Sequence, residues 1–194
     1  MKSVIAGGSH SAAVTVDNKV SLVVILLVTV DNKVFMWGLN KGGQCGSGNN
    51  KVESIMEPRP IDSKSIDLAE GDGGVHGKSS DWEVQQMCCG RSHSALLTAS
   101  GRLFVWGEAS FGRLGQPDSS SFSVHNNKRY SSFPVEVPFF KNNSIRIQNI
   151  ACGDFHMLAL TDGGDLYSWV ILILILILLL YYYYYCYFYH CYYY

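Results

Sequence analysis

The sequence lacks an excess of charge of either sign. Its 194 residues carry 15 Lys and Arg against 16 Asp and Glu, which gives a formal net charge of −1. A surface that binds nucleic acid or anionic lipid through bulk charge needs a clear basic excess. We therefore expect no nucleic-acid partner on this ground. No pattern in the sequence indicates a homo-oligomer.

Metal-binding and secretion signals are also missing. No C-x-x-C pair occurs, so we expect no zinc site, and the sequence indicates no other metal and no cofactor. The N-terminal stretch "MKSVIAGGSHSAAV" has no basic region that leads into an apolar run, so it does not resemble a signal peptide. We interpret the cysteines as reduced thiols of a cytoplasmic or nuclear protein. They are Cys45, Cys88, Cys89, Cys152, Cys186 and Cys191.

One pattern occurs three times along the chain. The segments are "AGGSHSAAVT" (6–15), "CGRSHSALLT" (89–98) and "CGDFHMLALT" (152–161). Each has a glycine, a histidine three residues later, and a small or apolar run that ends in threonine. After each segment, a turn and a second run lead to a tryptophan. A further glycine motif follows two of these tryptophans, as "WGLNKGGQCG" and "WGEASFGRLG".

The spacing of the pattern is regular apart from one excess. Trp37 and Trp106 are 69 residues apart, and Trp106 and Trp169 are 63 apart. Gly7 and Gly90, however, are 83 residues apart, an excess of 14 that equals the offset between two copies of "VTVDNKV". We interpret residues 21–34 as an insertion into a regular repeat. A period of this size indicates a solenoid, a propeller or an array.

The residues within each unit favour β-structure. Short runs rich in Val, Leu, Phe and Trp are separated by turn-forming pairs such as Ser100-Gly101 and Gly163-Gly164. Pro60 and Pro134 indicate outer strands, where proline is tolerated. About four short strands per unit, in series, favour a β-propeller over a sandwich.

Together, G-x-x-H-[ST]-x-x-[LV]-T, G-x-[LV]-[FY]-x-W-G and [FG]-G-[QR]-[LC]-G resemble the regulator-of-chromosome-condensation repeat. The resemblance implies blades of a seven-bladed β-propeller. Residues 1–169 would then hold about two and a half blades, each of about four antiparallel strands. We predict an all-β, partial propeller that does not close.

A residue that recurs in every unit is expected to support the fold, because chemistry needs a given group only once. We predict that the histidines hydrogen-bond neighbouring backbone and that the tryptophans fill the space between blades. We predict no catalytic residue. The structural set is Gly7, His10, Trp37, Gly38, Gly43, Gly46, Gly90, His93, Trp106, Gly107, Gly112, Gly115, Gly153, His156 and Trp169.

Function is expected in segments that do not repeat. Residues 62–81 and 116–133 are polar and longer than ordinary hairpin loops, so they are either solvated insertions or partner-binding loops. "DGGVHGKS" nearly matches a phosphate-binding loop, but Asp72 replaces its first glycine and no helix pattern follows, so we expect no nucleotide site. The candidate partner-binding residues are Asp72, His76, Lys78, Asp118, His125, Lys128 and Arg129.

The resemblance implies a binding platform and not an enzyme. Our first hypothesis is an adaptor or scaffold whose propeller loops bind a protein partner. The alternative is a guanine-nucleotide exchange factor for a Ran-like or other small GTPase. A second alternative is the regulatory propeller of a ubiquitin ligase. The family's exchange residues cannot be located in this sequence, so none is assigned.

The tail at 170–194 departs from the pattern. Val170 stands where the family has glycine, and a run of Ile and Leu and then of Tyr follows. The 11 apolar residues from Val170 to Leu180 would span about 17 Å as a helix, short of a bilayer core of about 30 Å, so we predict no membrane span.

We expect the tail not to belong to the native fold, and our hypothesis is that it is translated intron. Valine codons begin with GT, as introns do, and the break directly follows Trp169. We expect sequencing of the transcript across this junction to reveal a spliced message that encodes glycine after Trp169. A spliced message that encodes the tail would contradict the hypothesis.

Overall fold

The computed structural model describes residues 3–14, 34–48, 52–61, 83–116, 122–125 and 128–169. Four features singled out in the sequence lie outside these ranges. They are most of the 21–34 insertion, the 62–81 segment with Asp72, His76 and Lys78, the candidate Asp118, and the 170–194 tail.

The described residues form three antiparallel sheets in chain order, which we call blades 1, 2 and 3. Blade 1 has the order β1-β2-β3-β4, with β1 (Ser3–Ala6), β2 (His10–Val14), β3 (Val34–Leu39) and β4 (Ser54–Pro60). Blade 2 has the order β5-β6-β7-β9-β8, with β5 (Val84–Cys89), β6 (His93–Thr98), β7 (Leu103–Glu108), β8 (Ser123–His125) and β9 (Lys128–Glu136). Blade 3 has the order β10-β11-β12, with β10 (Ile147–Cys152), β11 (Met157–Thr161) and β12 (Leu166–Trp169).

Helical structure among these residues is limited to two short pieces. A 3-10 turn spans Ser110–Gly112, and the helix α1 (Pro138–Asn142) joins blade 2 to blade 3. Pro138 stands at the start of α1, where its missing N–H costs nothing. The prediction of an all-β, unclosed partial propeller is therefore confirmed.

The hydrophobic core lies between blades, because the central strands of blade 2 are covered on both sides. In β6, Leu96 packs into the cluster shared with blade 1, whereas Ala95 and Leu97 pack into the cluster shared with blade 3. In β7, Phe104 and Val105 divide in the same way. Successive side chains of a strand point to opposite faces, so a strand buried on both faces is apolar throughout.

The first strands of neighbouring blades are joined by polar side chains. The amide of Gln86 in β5 makes two bonds to Ile150 in β10. Its Nε2 donates to the carbonyl oxygen at 2.8 Å, and its Oε1 accepts from the backbone N–H at 3.0 Å. Gln85 Nε2 donates to the Gln148 carbonyl oxygen at 3.0 Å. These amides connect strands that are too far apart for backbone pairing.

A disulfide joins the same two strands and corrects the sequence-based interpretation. Cys88 in β5 and Cys152 in β10 are bonded, with their Cα atoms 5.6 Å apart. The prediction that all six cysteines are reduced thiols is therefore wrong for this pair. The two residues are 64 positions apart and share no motif, so only the contact between neighbouring blades brings them together. Disulfides are rare in the cytosol and nucleus, so this pair removes the ground on which the cytoplasmic or nuclear location was predicted. That location stays a prediction.

The polar segment 116–133 is only partly a loop. Its described residues include β8 and the first half of β9, which pair as an antiparallel hairpin with Val124 opposite Arg129. Tyr130 of this hairpin is buried. The prediction of one long loop was wrong because it followed the polar composition of the segment. An edge strand carries alternating polar residues as readily as a loop does.

Trp106 in β7 is completely buried between blades 1 and 2. Its indole Nε1 donates a hydrogen bond of 2.9 Å to the carbonyl oxygen of Gln44 in blade 1. The ring therefore contributes both apolar contact and a hydrogen bond across the boundary between two sheets.

We expect Trp106→Ala to lower the free energy of unfolding by about 3–5 kcal/mol, because it opens a large cavity between two blades. Trp37→Ala is the matched control. Trp37 is the equivalent residue of blade 1 but is only half-buried, so its loss should be clearly smaller. Denaturant unfolding followed by circular dichroism measures both. A loss below about 1 kcal/mol for Trp106→Ala would contradict the packing role.

Candidate functional site

The junction between blades 2 and 3 repeats the contact that Trp106 makes. Trp169 in β12 donates from Nε1 to the carbonyl oxygen of Arg113 at 2.9 Å. Gln44 and Arg113 occupy the same place, each two residues before a glycine of the repeated motif. A Cβ atom on Gly46 would lie 2.8 Å from Trp106 Nε1. The motif thus leaves room for the indole of the following blade.

The glycines before the histidines make room for the imidazole rings. A Cβ atom on Gly90 or on Gly153 would overlap the ring of His93 or of His156, respectively. Gly7 approaches the Gly90 carbonyl oxygen of the next blade. In the strand ladders, Gly38 lies opposite His10 and Gly107 lies opposite His93. Gly43, Gly112 and Gly115 lie in the turns that follow β3 and β7.

His10 takes part in a buried chain of hydrogen bonds across the first junction, the one between blades 1 and 2. Its Nε2 lies 2.8 Å from Ser94 Oγ of blade 2, and that hydroxyl donates to the Gln44 carbonyl oxygen at 2.8 Å. Because the serine hydrogen is used on Gln44, His10 Nε2 is the donor to Ser94. Burial lowers the pKa of His10 to about 4, although a hydrogen bond with the His93 backbone raises it. His10 is therefore neutral at pH 7.

His93 lies at the same position of the second junction, between blades 2 and 3, but lacks this chain of hydrogen bonds. The residue equivalent to Ser94 is Met157, which offers no hydroxyl. Neither ring nitrogen of His93 has a side-chain hydrogen-bond partner among the described residues, and the His156 backbone stands where the His93 backbone stands beside His10. Burial and then the nearby charge of Arg113 lower the pKa of His93 to about 3. The third histidine, His156, is exposed.

The two described thiols outside the disulfide, Cys45 and Cys89, are unreactive. Burial raises the pKa of Cys45 and of Cys89 to about 12, so neither is a thiolate at neutral pH. The described part of the chain contains no group of three His, Cys, Asp or Glu side chains placed to hold a metal ion. None of its helices is long and apolar enough to cross a bilayer.

Three of the predicted partner-binding residues lie in one hairpin. His125 ends β8 and Lys128 begins β9, where the two are paired in the register of the strands, and Arg129 is exposed in β9. The remaining candidates, Asp72, His76, Lys78 and Asp118, lie outside the described residues.

Sequence reasoning missed a second group, at the junction between blades 2 and 3. Its signal was present, because bulky or charged residues replace small or neutral ones at matching repeat positions. The group consists of Arg91, Phe111, Arg113 and Phe155, where the first junction has Gly8, Gly42, Gln44 and Ser92.

Comparison with known proteins agrees with this architecture. The model of the Regulator of chromosome condensation (RCC1) repeat matches residues 31–97 and 100–160, and a second model of the same repeat matches 84–113. These matches cover more than half of the chain. The chain belongs to the regulator-of-chromosome-condensation repeat family. The resemblance stated from the sequence is confirmed.

Relatives within the repeat family differ widely in size. The human E3 ubiquitin-protein ligase HERC2 is 30% identical over 146 residues, which cover 74% of this chain and 2% of HERC2. The guanine nucleotide exchange factor SRM1 of Saccharomyces cerevisiae is 29% identical over 147 residues, covering 73% of this chain and 27% of SRM1. The crystal structure of Prp20p from the same yeast superimposes with a TM-score of 0.60 at 24% identity, over 87% of this chain and 32% of that one. The chain thus spans a third or less of these proteins.

The two buried histidines make the stability of the repeats dependent on pH. Their pKa values in the folded state, about 4 and about 3, lie below the ordinary histidine pKa of 6.5. The unfolded chain therefore binds more protons below pH 6.5, and the stabilisation present above that pH is lost as the pH falls. We expect the loss to approach about 1.4 kcal/mol per pH unit for each histidine.

Denaturant unfolding between about pH 7 and pH 5 measures this slope. His10→Gln should remove one histidine's share of it. Equal slopes for the wild type and for His10→Gln would contradict this account of His10.

Proposed function

We propose that this chain is part of a propeller that works as a protein-interaction module, an adaptor or scaffold, and not as an enzyme. The proposal is carried by the division between repeated and non-repeated side chains. Two of the three repeated histidines, His10 and His93, are buried between blades and neutral at pH 7. At these positions they can stabilise the packing of the blades but cannot contact a substrate.

The exposed apolar side chains, in contrast, are largely non-repeated. Phe111 and Phe155 lie together at the second junction, and Val124 lies in the extra hairpin of blade 2. Exposed apolar groups on loops and edges of a rigid scaffold are typical of sites where another protein binds. These exposed side chains favour a protein as the binding partner over a small molecule.

Nucleotide exchange on a small GTPase is the second candidate function. It is favoured by the similarity to SRM1, whose name states that activity, and to Prp20p, whose structure is described together with binding to Gsp1p and histones. Exchange needs a surface that distorts the nucleotide site of the GTPase and no proton transfer by the exchange factor. A regulatory propeller within a ubiquitin ligase, favoured by the similarity to HERC2, would be a form of the adaptor.

A nucleotide-release assay separates the two candidates. A Ran-type GTPase and a panel of other small GTPases are loaded with a fluorescent GDP analogue and mixed with the full chain. For an adaptor we expect release at the unassisted rate throughout. Acceleration of about ten-fold or more for one GTPase would overturn the adaptor and establish exchange.

Quantitative co-purification from cells tests the adaptor directly. The wild-type chain should retain a protein in near-stoichiometric amount, and the destabilised Trp106→Ala variant should lose it. Retention of the same proteins by both forms would indicate non-specific adhesion and would contradict the proposal.

A further inference from the structure

Two arginines and two phenylalanines cluster at the surface of the second junction, and we call them the Arg-Phe patch: Arg91, Phe111, Arg113 and Phe155. The Phe111 and Phe155 rings meet edge to face, with centroids 6.4 Å apart, and are 57% and 41% exposed. Arg113 Cζ lies 5.5 Å from the Phe111 ring centroid and 5.1 Å from that of Phe155. Arg91 Cζ lies 5.6 Å from the Phe155 centroid.

The scaffold does not need these side chains. At the first junction the equivalent residues are Gly8, Gly42, Gln44 and Ser92, and the tryptophan bond between blades forms there with the same length of 2.9 Å. A junction therefore assembles without aromatic or cationic groups at these positions. The patch is therefore an addition to the repeat, and the packing of the blades does not explain why these side chains are present.

Phe111 also adopts an unfavourable backbone conformation. Its φ of 67° lies in the left-handed region that side-chain-bearing residues seldom adopt, whereas the equivalent Gly42 lies outside that region. The strain is thus not inherited from the repeat. Strained conformations that serve no packing purpose are concentrated at binding and switch sites. In this molecule the strain accompanies an exposed aromatic ring.

The patch carries positive charge that is only partly compensated. Arg113 is 1% exposed, and its Nη2 lies 3.6 Å from Glu108 Oε1. Its Nη1 is buried and has no hydrogen-bond partner within the described ranges. Burial lowers the pKa of Arg113, and the charge of Arg91 lowers it further, against the opposite effect of Glu108. Arg91 and Arg113 lie against the same Phe155 ring, with Cζ atoms 5.6 Å and 5.1 Å from its centroid, so an anion beside that ring would be attracted by both cations.

A cavity of about 270 Å³ adjoins the patch on the side of Phe111. Its lining includes Gln116, Phe122 and Arg129, and Arg129 is exposed at the blade 2 hairpin. Such a volume accepts an apolar side chain. The patch and the cavity lining together hold three arginines, Arg91, Arg113 and Arg129, and the carboxylate of Glu108 lies 3.6 Å from Arg113.

We propose that the Arg-Phe patch and its adjoining cavity bind an acidic peptide segment of a partner protein. An apolar side chain of that segment packs against Phe111 and Phe122, and flanking carboxylates pair with Arg91 and Arg129. This inference rests on the proposed function of the chain as a protein-interaction module. It adds the face that binds and the chemistry of the bound segment.

Fluorescence anisotropy with synthetic peptides tests the proposal on the full chain. The probe is a short fluorescein-labelled peptide with one phenylalanine flanked by aspartates and glutamates. One control peptide carries asparagine and glutamine in place of the acids, and another carries serine in place of phenylalanine. We expect saturable binding of the probe that weakens with salt, and affinities about ten-fold or more lower for both controls.

Phe111→Gly is the decisive variant. Glycine accepts a φ of 67° and occupies the equivalent position of blade 1, so the variant should melt at the same or a higher temperature. Its affinity for the probe should nevertheless fall by about ten-fold or more, as should that of Arg91→Gln. Met56→Ser is the matched control, because Met56 is 88% exposed in β4 of blade 1, and it should bind the probe as the wild type does.

Three results would overturn the proposal. They are equal affinity of wild type and Phe111→Gly, equal binding of the neutral control peptide, and no binding of the probe at all. Co-purification distinguishes this failure from failure of the proposed function. If Phe111→Gly still retains the wild type's stoichiometric partner, the module binds through another surface and only the patch is wrong. If the wild type retains no partner, the proposed function fails as well.

Discussion

The bond from a tryptophan N–H to a carbonyl of the preceding blade is the contact on which the rest of the structure depends. Trp106 donates to Gln44 and Trp169 donates to Arg113, each at 2.9 Å. Donor and acceptor always belong to different sheets, so no blade can complete its own core. The Gly46 position shows why the motif is so restricted, because a side chain there would strike the indole. One bond and one small residue thus fix the spacing of neighbouring sheets.

This dependence explains why the architecture could be predicted from the sequence. Every unit must supply the same tryptophan, and two of the units supply the same glycines after it. The intervals of 69 and 63 residues between the tryptophans are therefore visible without coordinates. The strands between them follow from apolar runs and turn residues. The outer hairpin of blade 2 was predicted wrongly because it is polar and does not recur in the other units, so the repeat pattern gives no signal for it. The burial of Tyr130, within the hairpin, distinguishes the segment from a solvated loop.

The contacts that differ between junctions could not be predicted in the same way. Ser94 and Met157 each follow a repeated histidine, but the consequence of the difference lies in the preceding blade. There His10 gains a hydroxyl partner, whereas His93 has no side-chain partner among the described residues. The Cys88–Cys152 disulfide likewise depends on which residues of neighbouring first strands face each other. A sequence aligned by its repeats shows equivalent positions. It does not show which position of one unit touches which position of the next.

The use of backbone atoms in the tryptophan bond also explains how one junction can be specialised. The acceptor is the main-chain carbonyl of Gln44 or of Arg113, so the side chain at that position is free to change without loss of the bond. At the first junction it is a neutral amide. At the second it is a buried guanidinium beneath two exposed phenylalanine rings. The repeat therefore provides a set of equivalent positions next to its most constrained bond. There, a cation and an aromatic ring can be added to a single junction while the spacing of the blades stays the same.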